Sequence, residues 1–175
     1  MSADRVRLRD VTLADADLLD AWSTPEAQGE FNDFGVPHGP APRQALAGGP
    51  LRNEENGELI VELVADGSPI GTVSWHRVVN GPNPESAGWN IGIALLPEAR
   101  GRGYGSEAQR TLADYLFVTT SANRVEASTD ADNVAEQRSL ERAGFSREGV
   151  QRGAQFRAGE YHDLVVYSRL RDDPA

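Results

Sequence analysis

The chain has 175 residues, a length typical of one domain with one core, and 39% of its residues are hydrophobic. It has no cysteine and its 17 basic residues are all arginine, which excludes disulfides, thiolate metal sites, cysteine nucleophiles, Schiff-base lysines and Walker-type phosphate lysines. The net charge of −10 disfavours nucleic acid or an anionic membrane as a partner and favours a cation such as an amine, although acidity also serves solubility alone.

We expect a single domain over residues 1–175, because no repeat, low-complexity tract or linker interrupts the sequence. The first residues lack the apolar segment of a signal peptide, and no apolar run approaches the roughly 20 residues of a membrane span. These features predict a cytoplasmic protein.

The first third of the chain predicts one strand, one helix and a long loop. VRLRDV alternates in polarity and predicts a strand, and Thr12 with Asp15 predicts a capped helix start. Pro25 would end that helix. The region 29–56 is rich in Gly, Pro and Asn, and a short helix is expected within it over Ala41–Ala47.

A hairpin and a further strand follow. ELIVELVA and PIGTVSWHRV flank Asp66-Gly67, a pair typical of hairpin turns. NGPNPES predicts a loop, and AGWNIGIALLP predicts the next strand. That strand leads into a glycine-rich stretch, ARGRGYGSEAQ.

The last part of the chain predicts two helices and three strands. After the glycine-rich stretch, one helical face contains Ala108, Leu112 and Leu116. NRVEAST predicts a strand, and NVAEQRSLERAGF predicts a helix ended by Gly144. REGVQRGAQF and YHDLVVYSRL predict two strands joined at Ala158-Gly159. The whole is an α/β (α+β) pattern with a largely antiparallel sheet.

The stretch ARGRGYGSEAQ predicts an anion site. A strand that runs into a glycine turn and then a helix brings backbone N–H groups together at the positive end of the helix dipole. Arg100 and Arg102 could add charged contacts, although glycines also occur in ordinary turns. The G-x-G-x-G spacing of Gly101, Gly103 and Gly105 does not match the Rossmann fingerprint, and the P-loop requires a lysine.

The same stretch resembles a known family. RGRGYG is similar to the R/Q-x-x-G-x-G/A signature of the GNAT superfamily of acyl-CoA N-acyltransferases, and NIGIALLPEA resembles that family's fourth strand. Downstream, NVAEQRSLERAGF places Asn133 and a Gly-Phe pair at the family's usual spacing. The final two strands resemble the RimJ/RimL branch, which acetylates protein N-termini and, in relatives, small amines. The resemblance spans residues 5–171.

The resemblance implies a fold and a co-substrate. The fold would be a mixed, mostly antiparallel curved sheet of about seven strands flanked by helices, splayed between strands 4 and 5. Acetyl-CoA would lie in the splay, with its diphosphate on backbone N–H groups of the glycine turn and its pantetheine along the fourth strand. Asn133 would contact the pantetheine, although an asparagine at a helix start also serves as an N-cap. The implied cofactor-binding residues are Ile93, Ala94, Leu95, Arg100, Gly101, Arg102, Gly103, Tyr104, Gly105, Ser106 and Asn133.

The acid–base residues of the family do not carry over. Relatives carry Glu where this chain has Asn90, a RimL-type serine where it has Glu136, and a tyrosine where it has Leu140. A glutamate of the penultimate strand aligns with Gln155. The candidate catalytic residues are therefore local: His76, Glu136, Ser139 and Glu85. Each also has a simpler interpretation as a solvated or self-bonded side chain.

The acceptor site is expected between the region after the first helix, the fourth strand and the last hairpin. Aromatic rings would line the pocket and carboxylates would attract a cationic acceptor, although such aromatics also serve cores. His38, in the same region, is a weaker candidate for the acid–base residue. The predicted substrate-binding residues are Phe31, Asp33, Phe34, Trp75, Asn90, Tyr161 and His162.

Together these features predict an N-acetyltransferase that moves acetyl from acetyl-CoA to a primary amine by direct attack in a ternary complex. The acceptor would be a protein N-terminus. A small-molecule N-acetyltransferase acting on an antibiotic or amine metabolite stays open, as does a non-catalytic acyl-CoA-binding sensor. No metal is expected, and the resemblance leaves a homodimer open.

Overall fold

The computed structural model describes residues 4–35, the single residues 44, 46 and 49, and residues 51–174. Gln44 and Leu46 are helical, but the rest of the helix predicted over 41–47 lies outside the described residues, as does His38. Among the described residues, no helix is both long and apolar enough to cross a membrane.

Seven strands of the described chain form one sheet in the order β1-β2-β3-β4-β5-β7-β6. Neighbouring strands are antiparallel, except that β4 and β5 are parallel. This mixed α/β architecture confirms the predicted fold class. The strands are β1 (Val6–Asp10), β2 (Asn56–Leu63), β3 (Pro69–Val79), β4 (Ala87–Leu95), β5 (Arg124–Asp130), β6 (Ser146–Arg157) and β7 (Glu160–Leu170).

The described helices are α1 (Ala16–Trp22), α2 (Pro25–Gln28), α3 (Tyr104–Thr119) and α4 (Val134–Arg142). Asp15 accepts hydrogen bonds from the backbone and hydroxyl of Thr12, as the predicted cap requires. The position of Pro25 differs from the predicted one, which was the end of the first helix. The first helix has already ended at Trp22, and Pro25 opens α2, because its fixed φ and missing N–H suit the first position of a helix.

The two faces of the sheet have different coverings. Alternate residues of a strand point to opposite faces, so Trp89, Ile91 and Ile93 lie on the face that packs against α3. Ile60 lies on the opposite face and packs beneath α1. The central part of this second face, around Asn90 and Gly92, is polar and partly exposed, and we call it the open face.

β4 and β5 separate along their length. In the described chain they pair at Trp89–Val125 and Asn90–Glu126, and no further pairs follow toward their carboxyl ends. Both strands continue, β4 to Leu95 and β5 to Asp130. The result is a V-shaped split whose backbone edges need partners from elsewhere.

A short segment, residues 25–31, bridges the open end of this split. On the β4 side, Arg100 donates to the carbonyl oxygen of Leu95 at 2.8 Å and to those of Ala27 and Gln28 in the segment. On the β5 side, Arg157 donates to the carbonyl oxygen of Glu30 at 2.6 Å. Two arginines thus attach residues 25–31, the bridging segment, to both sides of the split.

Arg157 is itself anchored by a buried ion pair. Its guanidinium bonds the carboxylate of Asp130, and the two side chains are 7% and 3% exposed. Asp130 also accepts the backbone N–H of Asp132 at 2.8 Å. The ring of His162 lies 3.2 Å from the same carboxylate. Removing the charge of Asp130 would leave the guanidinium buried without its counter-ion.

We therefore expect Asp130→Asn to lower the free energy of unfolding by about 3–5 kcal/mol, measured by urea denaturation. Asp10→Asn is the matched control, because Asp10 pairs with Arg52 at the surface, where the side chains are 52% and 41% exposed. Asp10→Asn should lower the free energy of unfolding by at most about 1 kcal/mol. Equal losses from the two substitutions would contradict the structural role given to Asp130.

Candidate functional site

The glycine-rich stretch forms a turn between β4 and α3. Gly101 and Gly103 have φ values of +72° and +81°, a region that side chains other than glycine rarely adopt, and Gly103 is the N-cap of α3. A Cβ on Gly101 would meet no atom within 4 Å. The first N–H groups of α3 follow directly after this turn, and the N-terminus of a helix favours an anion.

The rear of the turn is held by a residue that the sequence did not single out. Arg5 donates to the carbonyl oxygen of Arg102 at 3.0 Å and to the Glu107 carboxylate at 3.0 Å. Glu107 also accepts the backbone N–H of Val6 at 3.1 Å and that of Arg5. Burial opposes the charge of Glu107, but these hydrogen bonds outweigh burial and lower its pKa. The Arg5 guanidinium also lies over the Tyr104 ring, 5.1 Å from its centroid.

The two arginines of the turn differ. The guanidinium of Arg100 bonds backbone carbonyl groups of β4 and the bridging segment. It would have to leave those groups to make the predicted contact with a phosphate. Arg102 is exposed and forms no ion pair with a described residue, so its side chain is available for an anion.

Gly105 marks the point where three elements meet at the split. A Cβ built on it would lie 3.1 Å from Ser139 Oγ of α4, 3.7 Å from Leu95 Cδ1 and 3.9 Å from Ile93 Cδ1. Only glycine lets α3, α4 and the outer half of β4 approach this closely. The structure thus brings the predicted residues Ile93, Leu95, Gly105 and Ser139 together.

Beyond Asn90, the edge of β4 toward β5 has no neighbouring strand among the described residues, and Ile93, Ala94 and Leu95 lie along it. The carbonyl oxygen of Leu95 is occupied by Arg100. Asn133 is the N-cap of α4, and its Oδ1 accepts the backbone N–H of Glu136 at 3.2 Å. Its amide Nδ2 has no hydrogen-bond partner among the described residues and stays available for a ligand.

Glu136 and Ser139 lie on one face of α4 and are linked through Gln109 of α3. Gln109 donates to Glu136, and Ser139 donates to Gln109 Oε1 at 3.0 Å. Burial raises the pKa of Glu136 to about 7, against the opposing effect of the Gln109 hydrogen bond. Ser106 Oγ lies 3.3 Å from Ser139 Oγ. The sequence analysis named three of these residues but missed Gln109, whose helical position predicts only a core contact.

The open face carries further polar groups. His76 pairs in register with Asn90, and both lie on this face. Glu58 of β2 lies on the same face, opposite Ser74 of β3. Burial raises the pKa of Glu58, and a hydrogen bond with Thr72 opposes the rise. The sequence analysis did not single out Glu58, because alternation alone does not distinguish it from other strand carboxylates.

Glu85 does not lie where it was expected. It is exposed in a 3₁₀ turn over Pro84–Ser86, directly before β4. That end of β4 is closed by the parallel pairing with β5, whereas the split opens at the opposite end. The prediction that Glu85 stands at the mouth of the groove is therefore not supported by its position.

Several predicted acceptor residues gather at the open end of the split. Phe31 stacks beneath the Arg157 guanidinium, 5.3 Å from the ring centroid, and His162 touches the same arginine. His162 Nε2 also lies 3.1 Å from the Arg157 carbonyl oxygen, so both ring nitrogens have acceptors nearby. Asp33 caps its own loop by accepting the Gly35 N–H at 3.0 Å.

The other predicted acceptor aromatics are more exposed. The side chain of Phe34 is 37% exposed and that of Tyr161 is 73% exposed. Tyr161 packs edge-to-face against Phe156 across the last hairpin, with the ring centroids 5.2 Å apart. The structure does not bring these rings into contact with Phe31 or His162.

Trp75 lies on the wrong face for an acceptor residue. It is adjacent to His76 in β3 and therefore points toward α3, where its ring packs edge-to-face against Tyr115 at 5.9 Å. Together with Trp89 it lines a cavity of about 360 Å³ beside the last turn of α3. Strand alternation separates Trp75 from the open face, so its position does not support the prediction that it lines an acceptor pocket there.

Comparison with known proteins agrees with this geometry. The family model described as "Acetyltransferase (GNAT) domain" matches residues 5–146. The chain is 28% identical to an uncharacterized N-acetyltransferase, p20, of Bacillus licheniformis over 98% of this chain and 96% of that protein.

Two solved structures share the fold. Spermidine N-acetyltransferase of Vibrio cholerae, solved with CoA and spermine, superposes with a TM-score of 0.79 at 17% identity over 97% of both chains. Ribosomal-protein-S5-alanine acetyltransferase of Vibrio fischeri superposes with a TM-score of 0.73 at 19% identity, over 99% of this chain and 97% of that one. With a family model that covers most of its length, this chain belongs to the GNAT acetyltransferase family.

Proposed function

We propose that this chain is an N-acetyltransferase of the RimJ/RimL type that transfers acetyl from acetyl-CoA to the α-amino group of a peptide. The observation that carries the proposal is the β4–β5 split with a glycine turn and the N-terminus of α3 at its outer end. Acetyl-CoA supplies an activated acyl group as a thioester. The protein's part is to hold that group in the split and to present an uncharged amine to it.

The residues of the split fit such a co-substrate. The backbone N–H groups of residues 102–106 would hold the diphosphate. Arg102, which forms no ion pair with a described residue, lies beside them. The free edge of β4 offers backbone groups for the pantetheine amides, as an added strand would use them. Asn133 Nδ2 adds a donor at the start of α4.

The acceptor is expected on the open face. Ser74, His76, Gly92 and Ser128 are exposed there, so an amine at the end of a longer molecule can approach this face. Glu58 contributes a carboxyl group to this face, in keeping with the net charge of −10 and a cationic acceptor, whereas Glu126 is paired with Arg124.

The acid–base residues favour an α-amine over an alkylamine. An α-amino group has a pKa near 8, so a sizeable fraction is free base near neutral pH, whereas a lysine-type amine of pKa about 10.4 is almost fully protonated. At the position where relatives carry a glutamate, this chain has Asn90, which cannot take a proton. An acceptor that is already partly uncharged needs less help from a base. His76 supplies an exposed imidazole on this face.

The glycine turn can be tested by substitution. Gly105→Ala would force a Cβ to 3.1 Å from Ser139 Oγ, and Gly101→Ala would place a side chain at a φ of +72°. We expect each change to raise the Kd for acetyl-CoA about tenfold by isothermal titration calorimetry, an effect of about 1.4 kcal/mol.

Gly149→Ala is the matched control for the glycine substitutions. A Cβ on Gly149 would meet nothing within 4 Å, and its Kd for acetyl-CoA should not change. Wild-type affinity in both Gly101→Ala and Gly105→Ala would mean that the diphosphate does not bind at this turn.

The acceptor class can be tested by release of free thiol at pH 7.5. We expect kcat/KM for a peptide with a free N-terminus to exceed, by at least about tenfold, that for the same peptide with a blocked N-terminus and one lysine. Spermine serves as a small-molecule acceptor. Preference for lysine or spermine would overturn the acceptor proposal, and binding of acetyl-CoA without thiol release from any acceptor would indicate a non-catalytic binding protein.

A further inference from the structure

A chain of four polar side chains crosses from α3 to α4 beside the split. Ser106 Oγ lies 3.3 Å from Ser139 Oγ, Ser139 Oγ lies 3.0 Å from Gln109 Oε1, and Gln109 Nε2 bonds Glu136 Oε1. Gln109 is 1% exposed, so water cannot satisfy its amide. Its oxygen needs a donor and its nitrogen needs an acceptor, and Ser139 and Glu136 are those partners.

The hydrogen bonds among these four side chains all run in one direction, from Ser106 through Ser139 and Gln109 to Glu136. The Ser139 hydroxyl proton is committed to Gln109, so Ser139 accepts from Ser106 and has no proton left for a ligand. Glu136 receives the last hydrogen bond on one oxygen. No described residue bonds the other oxygen, which can hold a proton of its own. The last acceptor of this hydrogen-bonded series is therefore the Glu136 carboxyl group, and the Ser139 hydroxyl is an intermediate member.

Glu136 lies at the open end of the split. It is in the first turn of α4, which begins soon after β5 ends at Asp130. One turn later, Ser139 touches Gly105 and, through it, the outer half of β4. Residues three apart on a helix share a face, so Glu136 is directed along the same seam.

The groups around this carboxyl are uncharged. Gln109 bonds it from α3, and Asn133 and Ser139 belong to its own helix or its cap. No arginine or histidine of the described chain lies within ion-pair distance of it. Burial without a counter-ion raises the pKa of Glu136 to about 7, so protonated and ionised forms are both present near neutral pH.

We infer that Glu136 is the acid that delivers a proton into the split, and that Gln109 and Ser139 are positioning residues that hold its carboxyl there. This inference rests on the proposed acetyl transfer. In that reaction the amine nitrogen bonds the acyl carbon, the C–S bond breaks with its electron pair on sulfur, and the Glu136 proton goes to sulfur. The surplus proton of the amine passes to water, which returns a proton to Glu136.

The first test is a titration of the Glu136 carboxyl by ¹³C NMR without ligand. The wild-type midpoint should fall near 7. Gln109→Leu should move it upward, because the Gln109 N–H favours the ionised form and its loss removes that support. A wild-type midpoint in the ordinary range of 4–5, or no movement in Gln109→Leu, would overturn the inference whether or not the enzyme is active.

The second test is the pH dependence of kcat. A catalytic acid works when protonated, so wild-type kcat should fall as the pH rises through the Glu136 pKa. Glu136→Gln should lower kcat about 10²-fold, the lower end for general acids, and should abolish that decline. Its Kd for acetyl-CoA should stay within about twofold. Asp132→Asn, an exposed carboxylate just before α4, should keep the wild-type rate and profile.

These outcomes separate the inference from the proposed function. If the wild type releases thiol and Glu136→Gln keeps its rate and pH profile, the role given to Glu136 is wrong while acetyl transfer stands. If the wild type releases no thiol with any acceptor, the proposed function is wrong and Glu136 has no acid role to perform. A loss of acetyl-CoA affinity in Glu136→Gln, with kcat unchanged, would make the residue a binding residue and overturn the inference.

Discussion

The separation of β4 from β5 is the constraint on which the rest of the structure depends. Two parallel residue pairs hold the strands together. Beyond them, neither strand has another described strand along the edge that faces the split. Unpaired backbone groups are costly unless water or a ligand satisfies them, so the split is kept open by contacts elsewhere. On one face these contacts are the close packing of Gly105 with Ser139, Ile93 and Leu95. At the open end they are the two arginines that attach the bridging segment.

The basic residues that hold the split together are all arginines, and their contacts depend on the shape of the guanidinium group. Arg100 reaches carbonyl groups of two elements at once, and Arg157 reaches both Glu30 and Asp130. A planar guanidinium has several donors in fixed directions, whereas a lysine ammonium is a single point of charge. Arg5 uses the same property to tie β1 to the glycine turn and to Glu107. The arginines around the split therefore hold its elements in place. Of the two arginines in the glycine turn, Arg102 is the one whose side chain forms no ion pair with a described residue.

The polar groups of the split are divided between its two sides. On the side of α3 and α4 lies the chain that ends at Glu136, sheltered enough for burial to govern its protonation. On the open face lie His76, which is exposed, and Asn90 and Glu58, which are partly buried. In a transfer reaction the leaving group and the incoming amine occupy different sides of the acyl carbon. This division therefore suits separate handling of the two protons.

The sequence by itself determined the local elements and the family. Strand alternation, the Thr12–Asp15 cap, the Asp66-Gly67 hairpin and the glycine turn depend on neighbours a few residues away, so short-range patterns predict them. Their order and spacing were enough for the resemblance to the acetyltransferase family, which the family model confirms. From the resemblance also came the split itself, which no local pattern predicts.

Only the tertiary structure decided which side chains meet. Arg157 and Glu30 are 127 residues apart, and Arg5 and Glu107 are 102 apart, so neither contact has a local signal. Gln109 has the spacing of a core residue, and burial turned it into the link between Ser139 and Glu136. Trp75 and His76 are adjacent in sequence, yet the pleat of β3 sends one to α3 and the other to the open face. Such outcomes depend on long-range packing, which sets the dielectric surroundings and partners that give each side chain its chemistry.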